Sequence, residues 1–283
     1  MAATGAVARR RRDPVRWAVL VALLVLVLLV VAPLLVVALN AFKTPSEYAS
    51  NGPLALPGGL HLKGIVDFWN RVDFGRKLLN SFVISGVVAV GGVVVSLLNA
   101  YALGIGRVRG RIWFLIFFLV ANLLPQEALV YPLYYLSKQL HLYDTELAVI
   151  IIFIVIQSAF GTYLLSSVFD SFPRALLDAA EVDGAGRWRV LWRIVVPVSW
   201  PTLSVLLTFF FIWTWNEFFL PLVFLISNDR QTVPVALAIL QGDRLMDVTT
   251  TSASALIGIL PAVIFFLCFQ RTLSRGIMAG AVK

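Results

Sequence analysis

The chain has 283 residues, 60% of them hydrophobic and only 13% charged. A soluble domain carries about 25% charged residues, so a water-facing globule of this length is excluded. The net charge of +8 does not indicate nucleic acid, because the basic residues sit between apolar runs, where they act as topology signals.

Six apolar runs follow one another: Trp17–Leu39, Leu78–Leu103, Ile112–Leu136, Leu147–Phe169, Thr202–Ile226 and Thr251–Phe269. Each is near or above the roughly 20 residues that cross a hydrocarbon core, so the fold class is an all-α membrane protein of six transmembrane helices. Residues 1–16 read as an N-terminal tail, 17–273 as the membrane domain and 274–283 as a C-terminal tail. Arg9–Arg12 precede the first run as they would a signal peptide. That run spans about 23 residues, against roughly 7–15 in a secretory apolar region. It is followed by Asn40-Ala41-Phe42-Lys43 rather than a small-residue cleavage site, so it is read as an uncleaved span.

The second run carries Ser81, Ser85, Ala89, Gly92, Ser96 and Asn99, three or four residues apart and so on one helical face. Ser254, Gly258 and Ala262 repeat the device in the sixth. Small side chains let helix backbones approach closely in lipid, so both stripes are expected to pack within the bundle or against a second membrane subunit. Pro125 and Pro132 interrupt the third run. Of the longer outer loops, Asn40–Lys77 contains Pro45, Pro53, Pro57 and Gly58-Gly59 and is expected to start irregularly; Ser227–Thr250 is the other. With both termini in the cytoplasm, fifteen Lys and Arg lie inside and eight outside, the bias expected of that orientation.

Between the fourth and fifth runs lies Ser171–Pro201. Pro173 suits a helix start, Arg174–Val182 contains strong helix formers and no breaker, and Gly184 supplies the left-handed residue that ends a helix. A second short helix, Arg187–Val195, is expected to end before Pro197. Leu176, Leu177, Val182, Trp188, Leu191 and Trp192 leave this segment amphipathic, as suits the lipid surface, the bundle or another protein.

The order Asp178-Ala179-Ala180, Asp183-Gly184-Ala185, then Ile194, Pro197 and Pro201 resembles the Glu-Ala-Ala signature of ABC-importer permeases, with Asp178 in place of the usual Glu. The resemblance extends along the chain. It includes Asn40–Glu47, Asn80-Ser81, Leu124-Pro125, Tyr131-Pro132-Leu133-Tyr134, Trp215-Asn216-Glu217 and the tail from Phe269-Gln270-Arg271 through Gly276 to Ala279–Lys283. Asp243–Ser252 is not covered. The chain is similar to the smaller permease of the maltose-type carbohydrate importers. That resemblance implies the type I importer permease fold with cytoplasmic coupling helices, in a bacterial-type inner membrane. It implies a second homologous permease, two ATP-binding subunits, an extracytoplasmic sugar-binding protein and membrane lipid as partners. The coupling residues it implies are Asp178, Ala179, Ala180, Asp183, Gly184, Ala185 and Pro197.

The sequence has no Gly-x-x-x-x-Gly-Lys-Ser/Thr loop and no Gly-Lys dipeptide, so backbone amides and a lysine to cradle ATP are missing. No enzyme activity and no cofactor of its own are expected; ATP and magnesium belong to the partner. Two histidines (His61, His141) and one cysteine (Cys268) give no metal-ligand spacing and no internal disulfide. Asn122, Gln126, Glu127, Gln157, Trp213, Asn216 and Glu217 lie in or near apolar spans and are substrate-pathway candidates, although Trp213 and Trp215 suit interfacial anchoring better than sugar stacking. Proposed spans without interior Lys or Arg favour a neutral sugar over glycerol-3-phosphate; an oligopeptide is a further alternative. A membrane-embedded enzyme would need a catalytic cluster that is not evident, and a passive channel would not need the coupling loop.

Overall fold

The computed structural model describes residues 14–106, 108–241 and 247–281, with side chains in 17–106, 108–238 and 247–270. Arg9–Arg12, Arg107, Arg244 and Lys283, which weigh on the orientation count, lie outside the described residues, as do most of the N-terminal tail and Val282. The chain divides into two compact units, residues 1–67 with 246–256, and residues 68–245 with 257–283.

Thirteen α-helices and no strand occur among the described residues. The first unit holds α1 (Pro14–Ala41), α2 (Pro45–Asn51), most of α3 (Lys63–Arg71) and the start of α13 (Val248–Ala281). The loop after α1 is ordered from its start. Thr44 and Glu47 form a reciprocal capping box on α2, which satisfies two amides that a helix start leaves open. Lys43, counted above as an outer charge, is buried. Its ammonium donates to Asn40 Oδ1 at 2.9 Å, Gly52 O at 2.9 Å and Pro53 O at 3.1 Å. It therefore acts as a strut of the loop.

The second unit is built on α4 (Phe74–Ala100, continued by a π turn through Ile105), which packs on α7 (Glu146–Asp170) and α10 (Val196–Asn216). The small-residue stripe is the face through which it does so: Ser81, Ser85, Ala89, Gly92 and Ser96 are all buried. The approach is close enough that a Cβ on Gly161 would lie 2.2 Å from Ser96 Oγ and 2.9 Å from Phe210 Cζ. Ser96 donates to Gly92 O at 2.6 Å and lies 3.3 Å from Ser158 O, and Gln157 Nε2 donates to Thr214 Oγ1 at 2.8 Å. The packing is thus internal to this chain. On the sixth span's stripe, a Cβ on Gly258 would meet Leu237 Cδ1 at 2.5 Å.

Among the described residues five helices are long and apolar enough to span a membrane: Trp17–Ala41, Phe74–Ile105, Glu146–Asp170, Arg187–Asn216 and Val248–Gln270. The expected third span is not one straight helix. It divides into α5 (Arg111–Leu123) and α6 (Gln126–Gln139), bent by 98°. Pro125 lacks an N–H and forces the residue before it out of helical geometry; Leu124 is accordingly extended, with ψ 126°. The expected fifth span also ends early. α10 stops at Asn216 and a separate α11 (Phe219–Phe224) follows. Pro221 has no N–H for the Glu217 carbonyl, and its ring would clash there in a continuous helix. The chain instead extends at Glu217, whose carboxylate accepts from the Phe219 amide at 3.2 Å.

After α11 come a single 3-10 turn, Asn228–Arg230, and α12 (Val233–Gln241). Two sets of polar groups hold the segment between them. From α4, Lys77 donates to the Asn228 carbonyl and side chain, Asn80 donates to Asp229 O at 2.8 Å and Gln231 O at 3.1 Å, and Ser81 accepts from the Val233 amide at 2.8 Å. From the loop before α7, Asp144 accepts from the amides of Ile226 at 2.9 Å and Ser227 at 3.0 Å and from the Ser227 hydroxyl. Burial alone would raise the Asp144 pKa. The hydrogen bonds from Ser227 and Ile226 outweigh it and hold the carboxyl below its usual range. α13 continues as helix to Ala281, beyond the residue 274 at which a tail was expected.

Overpacking a core costs about 1–3 kcal/mol. Gly161→Ala is therefore expected to lower the melting temperature of the detergent-solubilised protein. Gly86→Ala, at a helical position with nothing within 4 Å of its Cβ, is expected to leave it unchanged or raised. Equal behaviour of the two would contradict the close approach.

Candidate coupling loop and translocation path

α7 ends at Asp170, where Arg111 at the start of α5 meets it at 2.7 Å. Phe169 and Phe172 are buried with ring centroids 6.3 Å apart and root the loop that follows. α8 occupies Arg174–Val182, the range read from Pro173 and Gly184 in the sequence. Pro173 stands at the cap rather than inside the first turn.

The end of α8 explains the order of residues there. Gly184 is left-handed at φ +68°; its amide donates to Glu181 O at 3.0 Å, and the Ala185 amide donates to Ala180 O at 2.9 Å. These are the two bonds of a Schellman cap, which needs a residue free to adopt positive φ at that one position. Ala180 is buried, whereas Asp178, Ala179, Asp183 and Gly184 face outward. The motif therefore has a buried small residue that seats the helix, a glycine that turns the chain, and two carboxylates left exposed. Val182, 88% exposed on the last helical turn, is a large apolar side chain with no cover from this chain.

The second coupling helix does not end before Pro197. α9 (Arg187–Val190) runs through a π turn, Leu191–Val195, straight into α10. The Val196 amide reaches Leu191 O, five residues back. The extra residue in that turn shifts the register where Pro197 would otherwise meet the Arg193 carbonyl. Pro197 and Pro201 are thus helical residues, and one 30-residue helix, Arg187–Asn216, begins at the bend. The Tyr101 hydroxyl donates to Arg187 O at 3.0 Å and ties that bend to the end of α4.

The pathway candidates gather at two helix breaks. Asn122, half-buried, donates to Phe118 O at 2.8 Å just before the α5–α6 break; Gln126 and the exposed Glu127 open α6 just after it. Asn216 is exposed and donates to Ile212 O at 2.7 Å beside the bent-back Glu217. The helices that follow the breaks, α6 and α11, pack on each other, with Val130, Leu133 and Tyr134 against a core that includes Leu220 and Phe224. Trp213 is edge-on to Phe209 and Phe160. Trp215 is buried, stacked on Phe211, and lines an apolar cavity of about 400 Å³ with Trp69, Phe82 and Phe265. Gln157 is fully buried, and its Oε1 has no hydrogen-bond partner among the described residues. The clamps made by Lys77 and Asp144 escaped the sequence reading, because nothing local marks oxygen partners so far away along the chain. Among the described residues no group of three or more His, Cys, Asp or Glu is placed to hold a metal ion.

Residues 92–278 match the family model described as "Binding-protein-dependent transport system inner membrane component". The arabinooligosaccharides transport system permease protein AraQ of Halalkalibacterium halodurans is 31% identical over 282 residues, covering 97% of this chain and 99% of that protein. The sn-glycerol-3-phosphate transport system permease protein UgpE of Yersinia pestis is 32% identical over 245 residues, covering 80% and 83%. A solved bacterial ABC transporter involved in the import of the acidic polysaccharide alginate shares the fold, with a TM-score of 0.73 at 22% identity over 96% of this chain and 99% of that one.

A β-branched residue in the left-handed conformation is an outlier. Gly184→Val is therefore expected to open the cap, speeding amide exchange at Gly184 and Ala185 by about tenfold or more, the size of a roughly 1–2 kcal/mol strain. Gly186→Ala, at φ −67° with nothing within 4 Å of its Cβ, is the control and is expected to leave exchange there unchanged. Unchanged exchange in Gly184→Val would contradict the cap.

Proposed function

The chain belongs to the family of binding-protein-dependent transport system inner membrane components, and from that premise we propose that it serves an ATP-driven importer of a neutral carbohydrate. Its share of that work is to form half of the translocation path and to receive the ATPase stroke through α8. The observation that carries this reading is the capped, outward-facing α8, set between α7 and the continuous Arg187–Asn216 helix. A short rigid helix with an uncovered Val182 and two exposed carboxylates suits a cleft on another protein. Displacing it moves one long helix directly, because the π turn carries α9 into α10 without a joint.

The chain depends on partners for the rest. It has no phosphate-cradling Gly-x-x-x-x-Gly-Lys-Ser/Thr loop, so ATP and magnesium are bound by two nucleotide-binding subunits. α1 is apolar on every side and exposed along most of its length, which suits a second permease or lipid. An extracytoplasmic binding protein delivers the solute to the outer side, where Asn122, Gln126, Glu127, Trp213, Asn216 and Glu217 mark the path. α8 and both termini then lie in the cytoplasm.

The carbohydrate reading draws on the arabinooligosaccharide relative and on sequence-read spans that carry no interior Lys or Arg. A second reading, glycerol-3-phosphate, draws on the relative that bears that name. A phosphate dianion calls for an available Lys or Arg. Lys77, a buried cation at the outer end of α4, is already taken up by Asn228.

Purification of the tagged chain from its native membrane is expected to bring down a second permease and an ATP-hydrolysing subunit. ATP hydrolysis by that complex is expected to rise several-fold with binding protein and a neutral oligosaccharide. Recovery of the chain without an ATPase would contradict the importer reading. Stimulation by glycerol-3-phosphate and not by sugars would replace the first substrate class with the second.

A further inference from the structure

The first turns of the Arg187–Asn216 helix carry an exposed row that the coupling role does not use. Arg189 and Arg193 are four residues apart and share a face, with Trp188 and Trp192 beside them, 66% and 50% exposed. Among the described residues no carboxylate lies within 4.0 Å of either guanidinium, including Asp178, Glu181 and Asp183 of the same loop.

Depth decides what can pair with them. The helix has 30 residues, about 45 Å at 1.5 Å per residue, against a hydrocarbon core of roughly 30 Å. About ten residues' length is therefore left over for tilt and for the headgroup layers at the two ends. Arg187 is held level with Tyr101, where α4 gives way to its π turn. Arg193 lies about 9 Å further along the helix axis, toward the apolar run Thr202–Ile226. A guanidinium on the first turns of a membrane-crossing helix can reach a headgroup along its flexible stem. Exposed indoles prefer the same layer.

We propose that Arg189 and Arg193, flanked by Trp188 and Trp192, form a site for the phosphodiester of an anionic phospholipid in the leaflet that α8 faces. A guanidinium fork matches phosphate oxygens with paired hydrogen bonds, and each basic residue near an anionic leaflet adds to the attraction. The ATPase is the less fitting occupant, because the row climbs away from α8 toward the bilayer rather than continuing its exposed face. The leaflet assignment rests on the cytoplasmic placement of α8.

The test is native mass spectrometry of the purified complex, titrated with palmitoyl-oleoyl phosphatidylglycerol or with the phosphatidylcholine of the same chains. Wild type is expected to retain phosphatidylglycerol preferentially. R189Q/R193Q is expected to weaken that preference by roughly tenfold or more, and R189K/R193K, which keeps the charge without the fork, to fall between the two. Unchanged retention in R189Q/R193Q would overturn the site, as would equal loss in the lysine pair, which would mark the arginines as structural. Release of the ATPase with lipid retention unchanged would make the row a protein contact and also overturn it. Labelling S171C in a C268S chain with an impermeant maleimide separates the two readings. Reaction only after the membrane is opened supports the placement of α8, so a lipid result against the site then leaves the coupling reading standing. Reaction from outside intact cells overturns both.

Discussion

Close contact between α4, α7 and α10 is the constraint on which the rest of this structure depends. In lipid, burying apolar surface does little to bring helices together, since the tails are as apolar as the side chains. What remains is dispersion, which needs close approach, and a few hydrogen bonds. Ser81, Ser85, Ala89, Gly92 and Ser96 on α4, facing Gly161 of α7, provide that approach. Ser96 and Gln157 supply polar ties across it. Larger side chains fill in beside the stripe, with Ile84 and Val88 in one core with Ile152 and Phe153 of α7, while Leu79, Val87 and Val90 are left exposed.

A rigid three-helix core makes the irregular pieces meaningful. Polar backbone that leaves a helix at membrane depth is tolerated only against protein or a water-lined cavity. The breaks at Leu124-Pro125 and Glu217-Phe218 both lead into helices that pack on each other, α6 and α11, and both carry the polar groups proposed for the path. At the N-terminal ends of α4 and α7, Lys77, Asn80, Ser81 and Asp144 fasten the segment that follows α11. At the other end of α7, the Schellman cap at Gly184 sets the angle between α8 and the long Arg187–Asn216 helix. The parts proposed to receive force and the parts proposed to meet solute are thus attached to the same helices.

How much of this was legible depended on whether the deciding residue was local. The range of α8 was readable from Pro173 and Gly184, because a cap is a matter of a few neighbouring residues. The stripe on α4 was readable because its spacing is the helix period. The break at Pro125 was visible as an interruption but not as a 98° bend, since the angle depends on what α6 packs against. The end of α10 at Asn216 was hidden inside an unbroken apolar run, although Pro221, four residues beyond Glu217, was a usable signal. Passage of the helix through Pro197 and Pro201 was not readable, because a π turn leaves no residue signature of its own. The hydrogen bonds of Lys77 were not readable either, because Asn228 lies 151 residues away along the chain.

The central claim is that α8 seats in an ATP-hydrolysing subunit. The most direct measurement is short-arm crosslinking from V182C in a C268S chain to its co-purified partners, with the crosslinked peptides identified by mass spectrometry and D229C as the control position. The account predicts a crosslink from V182C to the ATP-binding subunit and none from D229C. A crosslink to that subunit from D229C alone, or V182C bonded only to lipid-facing permease segments while the ATPase is present, would contradict it.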